Sequence, residues 1–387
     1  MNIVRKKINT SASGNGATGR NRSVARNCSP ARMAFLLAAA IMLTAIFLLF
    51  AGCNQDGVGI FYQISQEQEQ KESKISERNV YQVVEAGGEL YALAGRSVFK
   101  QVGGDWSNIT GSNYAYNIVA DSGGTLYANI NNDDDNLDEG KLWSYDGSTW
   151  TTSLFSYTGD IDLFQAEQED AFFLELSTET GVQDVQSTAD LSTTPYNSQD
   201  AIDFYDAAAL GTDYFVISKD KIYSGADLSA GSLSEVSPTF TGVSLSGDLL
   251  AICSDDEGAG EKLYLATSGR QIYSSDNGTI WDHIQTISDT PIEGSLAVVS
   301  LDPGPLKYLI IGTEACYYEM EIGSTSVVGP TGTASTGSPD NFYANYPDLQ
   351  TALVWWIYQV PLNTTEFYLG TQAGLWKRNS SGEFEKL

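Results

Sequence analysis

The chain has 387 residues, with 49 Asp and Glu against 21 Lys and Arg and a formal net charge of −28. Nucleic acids are bound mainly through Lys and Arg, so this charge argues against a nucleic-acid partner. The single histidine, His283, excludes any site that needs two imidazoles, including HExxH zinc proteases. An acidic composition of this kind is typical of a well-solvated surface.

The first 52 residues have the layout of a secretory signal. Seven Lys and Arg and no acid precede Met33, and an uncharged apolar segment follows. That segment ends in Phe50-Ala51-Gly52-Cys53, with small residues directly before a cysteine. The order of basic, apolar and small residues predicts a signal peptide with an extended basic region over residues 1–52.

The end of this segment resembles a bacterial lipobox, in the relaxed form of spirochaete lipoproteins. The resemblance implies cleavage before Cys53 and attachment of a diacylglyceryl group to its thiol. Phe50 stands where the family usually has Leu. An uncleaved membrane anchor is the alternative, because the core from Ala34 to Phe50 approaches the ~18 apolar residues of a transmembrane helix. Both readings place the rest of the chain in the cell envelope, tethered to a bacterial membrane and facing the periplasm or the exterior.

Residues 53–78 follow as the lipidated cysteine and a polar spacer. The segment is rich in Gln, Glu, Ser and Lys after a short apolar patch at Ile60-Phe61-Tyr62. Such a composition cannot bury enough apolar surface to fold alone. The spacer is expected to hold the following domain off the membrane, and a short helix docked through Ile60 and Phe61 is the alternative. Without residues 1–52 the chain keeps 14 Lys and Arg against 49 acids, a net charge of −35.

The chain is repetitive from residue 79 onward. An aromatic residue inside a β-favouring run recurs seven times, at Tyr91, Tyr127, Phe173, Phe215, Tyr264, Tyr308 and Tyr368. The mean interval of about 46 residues matches the roughly 40 to 50 residues of a four-stranded propeller blade. A second aromatic follows in every unit except that of Phe173, at Phe99, Trp143, Tyr223, Tyr273, Tyr317 and Trp376.

These spacings predict an all-β domain over residues 79–387, a β-propeller of seven four-stranded blades. Gly, Ser, Asn and Asp crowd the joints between units, where turns need positive φ or side chains that bond the backbone. Radial repetition of short sheets also leaves only short edges exposed. A β-sandwich is the alternative, and it requires fewer and less regular units.

The segment from Ser274 to Trp281 matches the pattern S-x-D-x-G-x-x-W through Ser274, Asp276, Gly278 and Trp281. It resembles the Asp box, or BNR repeat, of sialidase-like propellers, with degenerate copies at 144–150 and 103–106. The resemblance implies a structural role in which Asp276 caps the turn between the third and fourth strands of a blade. It also implies a positive φ at Gly278 and packing of Trp281 into the blade. In those families the box lies away from the catalytic mouth.

Other candidate residues have plain structural interpretations. Cys253 and Cys316 fall on strands that are not neighbours, so we expect two buried thiols rather than a disulfide. The acidic run from Asn131 to Glu139 lacks the spacing of a calcium loop and is expected to be a solvated hairpin tip. Trp355 and Trp356 are expected to pack between blades, with stacking on a sugar as the alternative, and His283 to lie on the surface. No metal and no cofactor are predicted.

Two functions from different classes remain. The first is a noncatalytic lipoprotein whose propeller binds or scaffolds a protein or glycan partner through loops on a rigid frame. The second is a carbohydrate-active hydrolase, sialidase-like or another glycosidase, with carboxylates at the propeller mouth. Sialidase chemistry clamps a carboxylate with three arginines, and the chain after Cys53 has only Arg78, Arg96, Arg270 and Arg378, spread along separate repeats. The sequence locates no catalytic residue, and a noncatalytic module is the prediction.

Overall fold

Seven sheets follow one another along the chain, and each contains a four-stranded antiparallel meander whose strands pair in sequence order. The structure is a computed structural model that describes residues 75–131, 140–166, 170–178, 180–255, 261–287, 290–301, 306–324, 327–329, 345–359 and 366–387. The predicted signal peptide, Cys53, nearly all of the predicted spacer and most of the acidic run at 131–139 lie outside these residues. Among the described residues, none of the helices has the length and apolar character that a membrane crossing requires.

The first four blades are built from sixteen strands. Blade 1 has β1 (Val80–Ala86), β2 (Glu89–Ala94), β3 (Ser97–Val102) and β4 (Asp105–Asn108); blade 2 has β5 (Tyr114–Ala120), β6 (Leu126–Asn131), β7 (Gly140–Tyr145) and β8 (Trp150–Tyr157). Blade 3 has β9 (Asp160–Gln165), β10 (Phe172–Thr178), β11 (Gly181–Thr188) and β12 (Asn197–Gln199); blade 4 has β13 (Asp206–Leu210), β14 (Asp213–Ile217), β15 (Ile222–Gly225) and β16 (Ser234–Val236).

Thirteen further strands complete the ring. Blade 5 has β17 (Thr239–Thr241), β18 (Leu249–Asp255), β19 (Lys262–Thr267), β20 (Gln271–Ser275) and β21 (Ile280–Thr286); blade 6 has β22 (Ile292–Ser300), β23 (Lys307–Thr313), β24 (Tyr317–Glu321) and β25 (Val327–Val328). Blade 7 has β26 (Val354–Gln359), β27 (Phe367–Thr371), β28 (Gly374–Arg378) and β29 (Phe384–Lys386). A 3-10 turn at Ile75–Glu77 precedes blade 1, and the short helix α1 (Pro347–Gln350) precedes blade 7.

The predicted all-β propeller of seven four-stranded blades is confirmed. The first aromatic of each repeat lies on the second strand of its blade, and all seven are buried, from Phe173 at 0% exposed to Tyr308 at 8%. The second aromatics lie on the third strands. Seven apolar clusters hold these side chains, and several of them join residues of neighbouring blades. The aromatic repeat therefore marks the two central strands of each sheet, which have neighbours on both edges and both faces.

Blade 5 carries a fifth strand that the repeat did not predict. After β16, the connecting segment runs alongside the outer edge of blade 5 as β17, parallel to β21. Thr239 donates its backbone N–H to the carbonyl of Thr279 at 2.8 Å. The connection between blades 4 and 5 thereby covers the outer edge of blade 5.

Polar side chains connect every pair of neighbouring blades. The contacts, in ring order, run from Gln82 to Ile118, from Gln165 to Ala120, from Glu175 to Phe204, from Asp206 to Ile252, from Lys307 to Asp255, from Gln359 to Ser300 and from Trp356 to Val83. Six of the seven bond a backbone group of the neighbouring blade. Because the innermost strands pair on one edge only, such bonds satisfy backbone groups that no strand reaches.

The ring closes between blades 7 and 1 through side chains. All four strands of blade 7 come from the C-terminal end of the chain, so no strand is shared across this junction. The indole Nε1 of Trp356 donates to the carbonyl of Val83 at 2.9 Å, and the Tyr358 hydroxyl accepts the backbone N–H of Glu85 at 3.2 Å. Ile75, 1% exposed, packs into the same apolar cluster. Ile75, which lies inside the segment assigned to the spacer, is therefore packed against the propeller.

Candidate functional site

Five innermost strands have a bulge near their first residue. The pairing register between the first and second strands shifts there in blades 1, 2, 5, 6 and 7. The residues left out of the ladder are Tyr81, Tyr116, Leu250, Glu293 with Gly294, and Trp355. We call Tyr81, Tyr116, Leu250, Glu293 and Trp355 the mouth ring. All five are half-buried, and bulges next to functional sites commonly redirect a side chain in this way.

The mouth ring lies at one end of the propeller. Every innermost strand begins at this end, because each blade is the same meander. The turns between second and third strands lie at the same end: Gly95 donates its N–H to the carbonyl of Asn79, and Glu314 donates to that of Pro291. Loops and bulged side chains from several blades therefore meet around the central channel, which is where ligand sites on rigid scaffolds occur.

An aromatic pair bridges blades 7 and 1 in the mouth ring. The rings of Tyr81 and Trp355 have centroids 4.7 Å apart and an interplanar angle of 31°. Both are half-buried, so each keeps part of its surface exposed. The neighbouring Trp356 turns the other way, into the junction between the blades. The predicted core packing therefore holds for Trp356, whereas the bulge leaves Trp355 at the mouth.

A second aromatic group adjoins this pair at blades 1 and 2. The guanidinium of Arg96 lies over the rings of Tyr114 and Tyr116, 5.7 and 5.9 Å from their centroids. The backbone carbonyl of Arg96 accepts the N–H of Ala115 at 2.8 Å, which fixes the turn against blade 2. Asn79 places its side-chain amide 3.4 Å from the Tyr81 hydroxyl. Asn79 links the two groups, because its carbonyl accepts the N–H of Gly95 next to Arg96, while the Tyr116 hydroxyl oxygen is buried.

Carboxyl groups occupy the mouth at blades 4 to 6. Burial, followed by a hydrogen bond to Glu314 and its negative charge, raises the pKa of Glu293 to about 7. The carboxyl group of Glu293 is therefore partly protonated near neutral pH. At blade 4, burial raises the pKa of Tyr205, and the charges of Asp203 and Asp248 raise it further. Among the described residues, no group of three His, Cys, Asp or Glu is arranged to hold a metal ion.

Two carboxyl groups join blade 4 to its neighbours, one buried and one half-buried. Glu175 on β10 is 6% exposed, and its Oε2 accepts the backbone N–H of Phe204 at 2.6 Å. Burial raises the pKa of Glu175 to about 8. Asp206 accepts the N–H of Ile252 at 3.0 Å, and burial raises its pKa to about 6. Sequence reasoning missed both, since nothing local marks a residue whose partner lies in the next blade.

The segment from Ser274 to Trp281 forms the turn between the third and fourth strands of blade 5, at the end opposite the mouth ring. Gly278 has a φ of 69°, and Trp281 is fully buried. The capping residue differs from the expected Asp276, whose side chain is 72% exposed and paired with Lys262 at 2.7 Å. Asn277 caps the turn instead, because its Oδ1 accepts the N–H groups of Thr279 and Ile280, both at 2.9 Å.

The same cap recurs in blade 2. There the capping residue directly precedes the glycine, one position closer to it than the Asp-box pattern expects. Asp146 accepts the N–H groups of Ser148 and Thr149 at 2.9 and 2.8 Å, just before Trp150. These hydrogen bonds lower the pKa of Asp146 well below its ordinary value. Gly147 follows with a φ of 93°. The turn observed in both blades is therefore Asp or Asn, then Gly, then a Trp three residues after the Gly. In blade 5 the serine that contacts this turn is Ser275, whose hydroxyl accepts the N–H of Gly278 at 2.8 Å, and Ser274 makes no contact of this kind.

The arginines do not assemble into a carboxylate clamp. Arg96 and Arg270 lie at mouth-end turns of blades 1 and 5. Arg378 is 2% exposed and donates to the carbonyl of Leu301 at 3.2 Å, and Arg78 lies over the ring of Phe99. They are therefore spread over blades 1, 5 and 7, and Arg378 is used inside the fold.

The remaining candidate residues are two cysteines and the histidine. Cys253 and Cys316 are both buried and belong to different blades, as expected. His283 is half-buried on the outer strand of blade 5, with its Nε2 2.9 Å from the Thr286 hydroxyl. Its ring also contacts that of Tyr273 edge-on at 5.4 Å.

Fold and site together define a β-propeller with a chemically varied mouth. No family model matches the chain, and no curated protein matches it. Among solved structures it is similar to the extracellular domain of a candidate hybrid two component system from B. thetaiotaomicron, with a TM-score of 0.52 and 13% identity. That match covers 77% of this chain and 38% of the other. A second such domain, of a candidate one component system from the same organism, has the same TM-score and coverage at 14% identity.

Similarity to solved structures at 13% and 14% identity establishes the fold alone. The chain spans well under half the length of these neighbours. What it shares with them is the propeller, and the mouth ring has to be interpreted from its own residues.

Proposed function

We propose that the chain is an extracytoplasmic lipoprotein, anchored through Cys53, whose propeller is a noncatalytic binding or scaffold module for a protein or glycan partner. The observation that carries the binding role is the mouth ring. Five bulged residues of different chemistry lie half-exposed at one end of a rigid frame. A frame that stays constant while its exposed side chains vary is the usual arrangement of a recognition surface.

The buried charged groups support a noncatalytic role. Glu175 and Asp206 each accept a backbone N–H of the next blade, so these carboxyl groups join blades. Arg378 is buried against a backbone carbonyl and the ring of Phe367. These three groups contribute to the packed structure, whereas a glycosidase needs its carboxyl groups on either side of an open substrate cleft.

The anchor and the location rest on the leader and on the neighbours. The basic region, the apolar core and the small residues before Cys53 have the order of a lipoprotein signal. Two acyl chains hold a protein on a membrane far more firmly than one. The similar solved structures are extracellular domains, in line with a propeller outside the cytoplasm. The caps at Asn277 and Asp146 support a relationship to Asp-box propellers, with the capping position moved by one residue.

Metabolic labelling tests the anchor. The full chain is expressed in a bacterial host with radiolabelled palmitate, and its mass is measured beside those of Cys53→Ala and Cys28→Ala. We expect label and loss of residues 1–52 in the wild type and in Cys28→Ala, and an unlabelled chain with its leader in Cys53→Ala. An unlabelled wild type that keeps its leader would overturn the lipoprotein proposal and favour an uncleaved anchor.

A hydrolase is the second candidate, and one observation favours it. Glu293 and Glu314 form a carboxyl pair at the mouth with a pKa near 7 on Glu293, a value suited to a general acid. Release of product from fluorogenic sialosides and neutral glycosides tests this role. If the wild type releases product and Glu293→Gln abolishes this turnover, the hydrolase function is established. If the wild type shows no turnover, the noncatalytic binding module remains the proposal.

A further inference from the structure

The mouth ring has two chemically different halves. At blades 7, 1 and 2 it presents Trp355, Tyr81 and Tyr116, and at blades 5 and 6 it presents Leu250 and Glu293. These residues occupy equivalent bulges, so the backbone offers each of them the same kind of position. The difference between the halves is therefore a difference in what the side chains can bind.

Contacts connect the aromatic half into one surface across three blades. Trp355 packs on Tyr81, and the Tyr81 hydroxyl meets the amide of Asn79. The carbonyl of Asn79 holds the turn of Gly95, which places Arg96 over Tyr116 and Tyr114. We call Trp355, Tyr81, Asn79, Arg96, Tyr114 and Tyr116 the aromatic platform. Its members are half-buried except for Arg96, which is exposed.

The platform has the chemistry that recognises sugars. An aromatic face is electron-rich, so the polarised C–H groups of a pyranose pack on it favourably. The amide of Asn79 and the guanidinium of Arg96 at its edge are of the kind that bonds hydroxyl groups, and a few placed polar groups beside an apolar surface give a ligand its orientation. We infer that the aromatic platform is a binding site for a neutral oligosaccharide, which rests on the proposed binding function and names its ligand class.

Charge selects a neutral glycan over charged ligands. The chain after residue 52 has a net charge of −35, and the opposite half of the mouth presents Glu293 and Glu314, so a polyanionic glycan is repelled. A basic peptide is attracted to those acids, but on the platform it meets the cation of Arg96. An uncharged chain of pyranose units is repelled neither by the acids nor by Arg96.

Calorimetric titration of the full-length protein tests the inference. The protein is held in a detergent without a sugar headgroup, and the probes are cellohexaose, maltohexaose and hexa-N-acetylchitohexaose, with hexagalacturonic acid as the charged comparison. Trp355→Ala is compared with Trp355→Phe, which keeps a flat ring. Val102→Ala is the control, because Val102 is 55% exposed at the last position of β3, at the end of the propeller opposite the mouth ring. Unfolding curves establish that each variant is folded.

We expect at least one neutral hexasaccharide to bind, Trp355→Ala to weaken binding by about tenfold or more, and Trp355→Phe and Val102→Ala to change it by less than about threefold. The inference is overturned if no neutral hexasaccharide binds the wild type, if hexagalacturonic acid binds more tightly, or if Trp355→Ala and Val102→Ala weaken binding equally.

Two further readouts separate this inference from the proposed function. If the wild type is labelled with palmitate and binds a basic peptide but no sugar, the glycan site is ruled out and the proposed binding function is retained. Cleavage of a bound hexasaccharide, followed by mass spectrometry, contradicts the noncatalytic role and supports sugar binding at the platform.

Discussion

Glu175→Gln tests how the junction between blades 3 and 4 is held together. Glu175 is 6% exposed, and its Oε2 accepts the Phe204 N–H at 2.6 Å. A glutamine has nearly the same shape and keeps a carbonyl oxygen for that hydrogen bond. It lacks the negative charge, which the structure places in a buried site close to Asp162 and Asp203. The substitution therefore removes the free-energy cost of ionising a buried carboxyl group and keeps the hydrogen bond between the two blades.

The sign and size of the effect follow from the pKa. Burial raises the pKa of Glu175 from 4.5 to about 8, so between these pH values the folded state binds more protons than the unfolded state. The stability that the neutral carboxyl group contributes is fully present below about pH 4.5 and is lost as the pH rises to about 8. At 1.36 kcal/mol for each pKa unit, the loss at pH 9 is about 4 to 5 kcal/mol, as an upper limit.

Urea unfolding at pH 4, 6, 7, 8 and 9 measures this effect. We expect Glu175→Gln to match the wild type within about 1 kcal/mol at pH 4 and to exceed its free energy of unfolding by several kcal/mol at pH 9. Glu89→Gln is the matched control, because Glu89 is exposed at the start of β2, and surface substitutions change the free energy of unfolding by about 0.5 kcal/mol or less. A Glu175→Gln difference that stays constant, or that grows as the pH falls, would refute the reasoning.

Three further substitutions test the turns and the junctions through the free energy of unfolding. Asn277→Ala removes the acceptor of two backbone N–H groups and should cost about 1 to 2 kcal/mol. The adjacent Asp276→Ala removes an exposed ion pair and should cost about 0.5 kcal/mol or less. Equal losses would contradict the assignment of Asn277 as the cap. Gly278→Ala combines a positive φ with overlap of the new Cβ and the Phe215 ring, and should cost about 3 kcal/mol or more. Gly147→Ala, where a Cβ meets nothing within 4 Å, should cost only about 1 to 2 kcal/mol, and an equal cost would rule out the overlap. Gln359→Leu leaves the N–H and the carbonyl of Ser300 without their 3.0 Å partners and should cost about 1 to 3 kcal/mol, so a loss below about 0.5 kcal/mol would show that the tie is dispensable.

The aromatic repeat was enough to predict the strands and their grouping. Residues such as Tyr91 and Phe99 are eight positions apart, and they fall on adjacent strands of one hairpin. Hairpins and meanders are local, so the spacing along the chain carries their arrangement. The extra strand β17 was missed because its pairing with β21 depends on the path of a connection between two blades.

The turn cap shows where a motif match reaches its limit. Ser274 to Trp281 fits the Asp-box pattern through Asp276, yet Asn277 accepts the backbone N–H groups. Asp and Asn at adjacent positions are both able to form such a turn, and the pattern does not distinguish them. The backbone direction that buries Trp281 and exposes Asp276 makes the choice.

Local sequence by itself determined the seven repeating sheets, because these depend on spacing within a few tens of residues, and it predicts a leader and a polar spacer before them. The tertiary structure decided the mouth ring, the aromatic platform and the ties between blades. Trp355 meets Tyr81 only when the ring closes between blades 7 and 1, and Glu175 meets Phe204 only when blades 3 and 4 pack side by side. Such contacts depend on packing between sheets, and a bulge that turns one residue toward the channel leaves no periodic trace in the sequence.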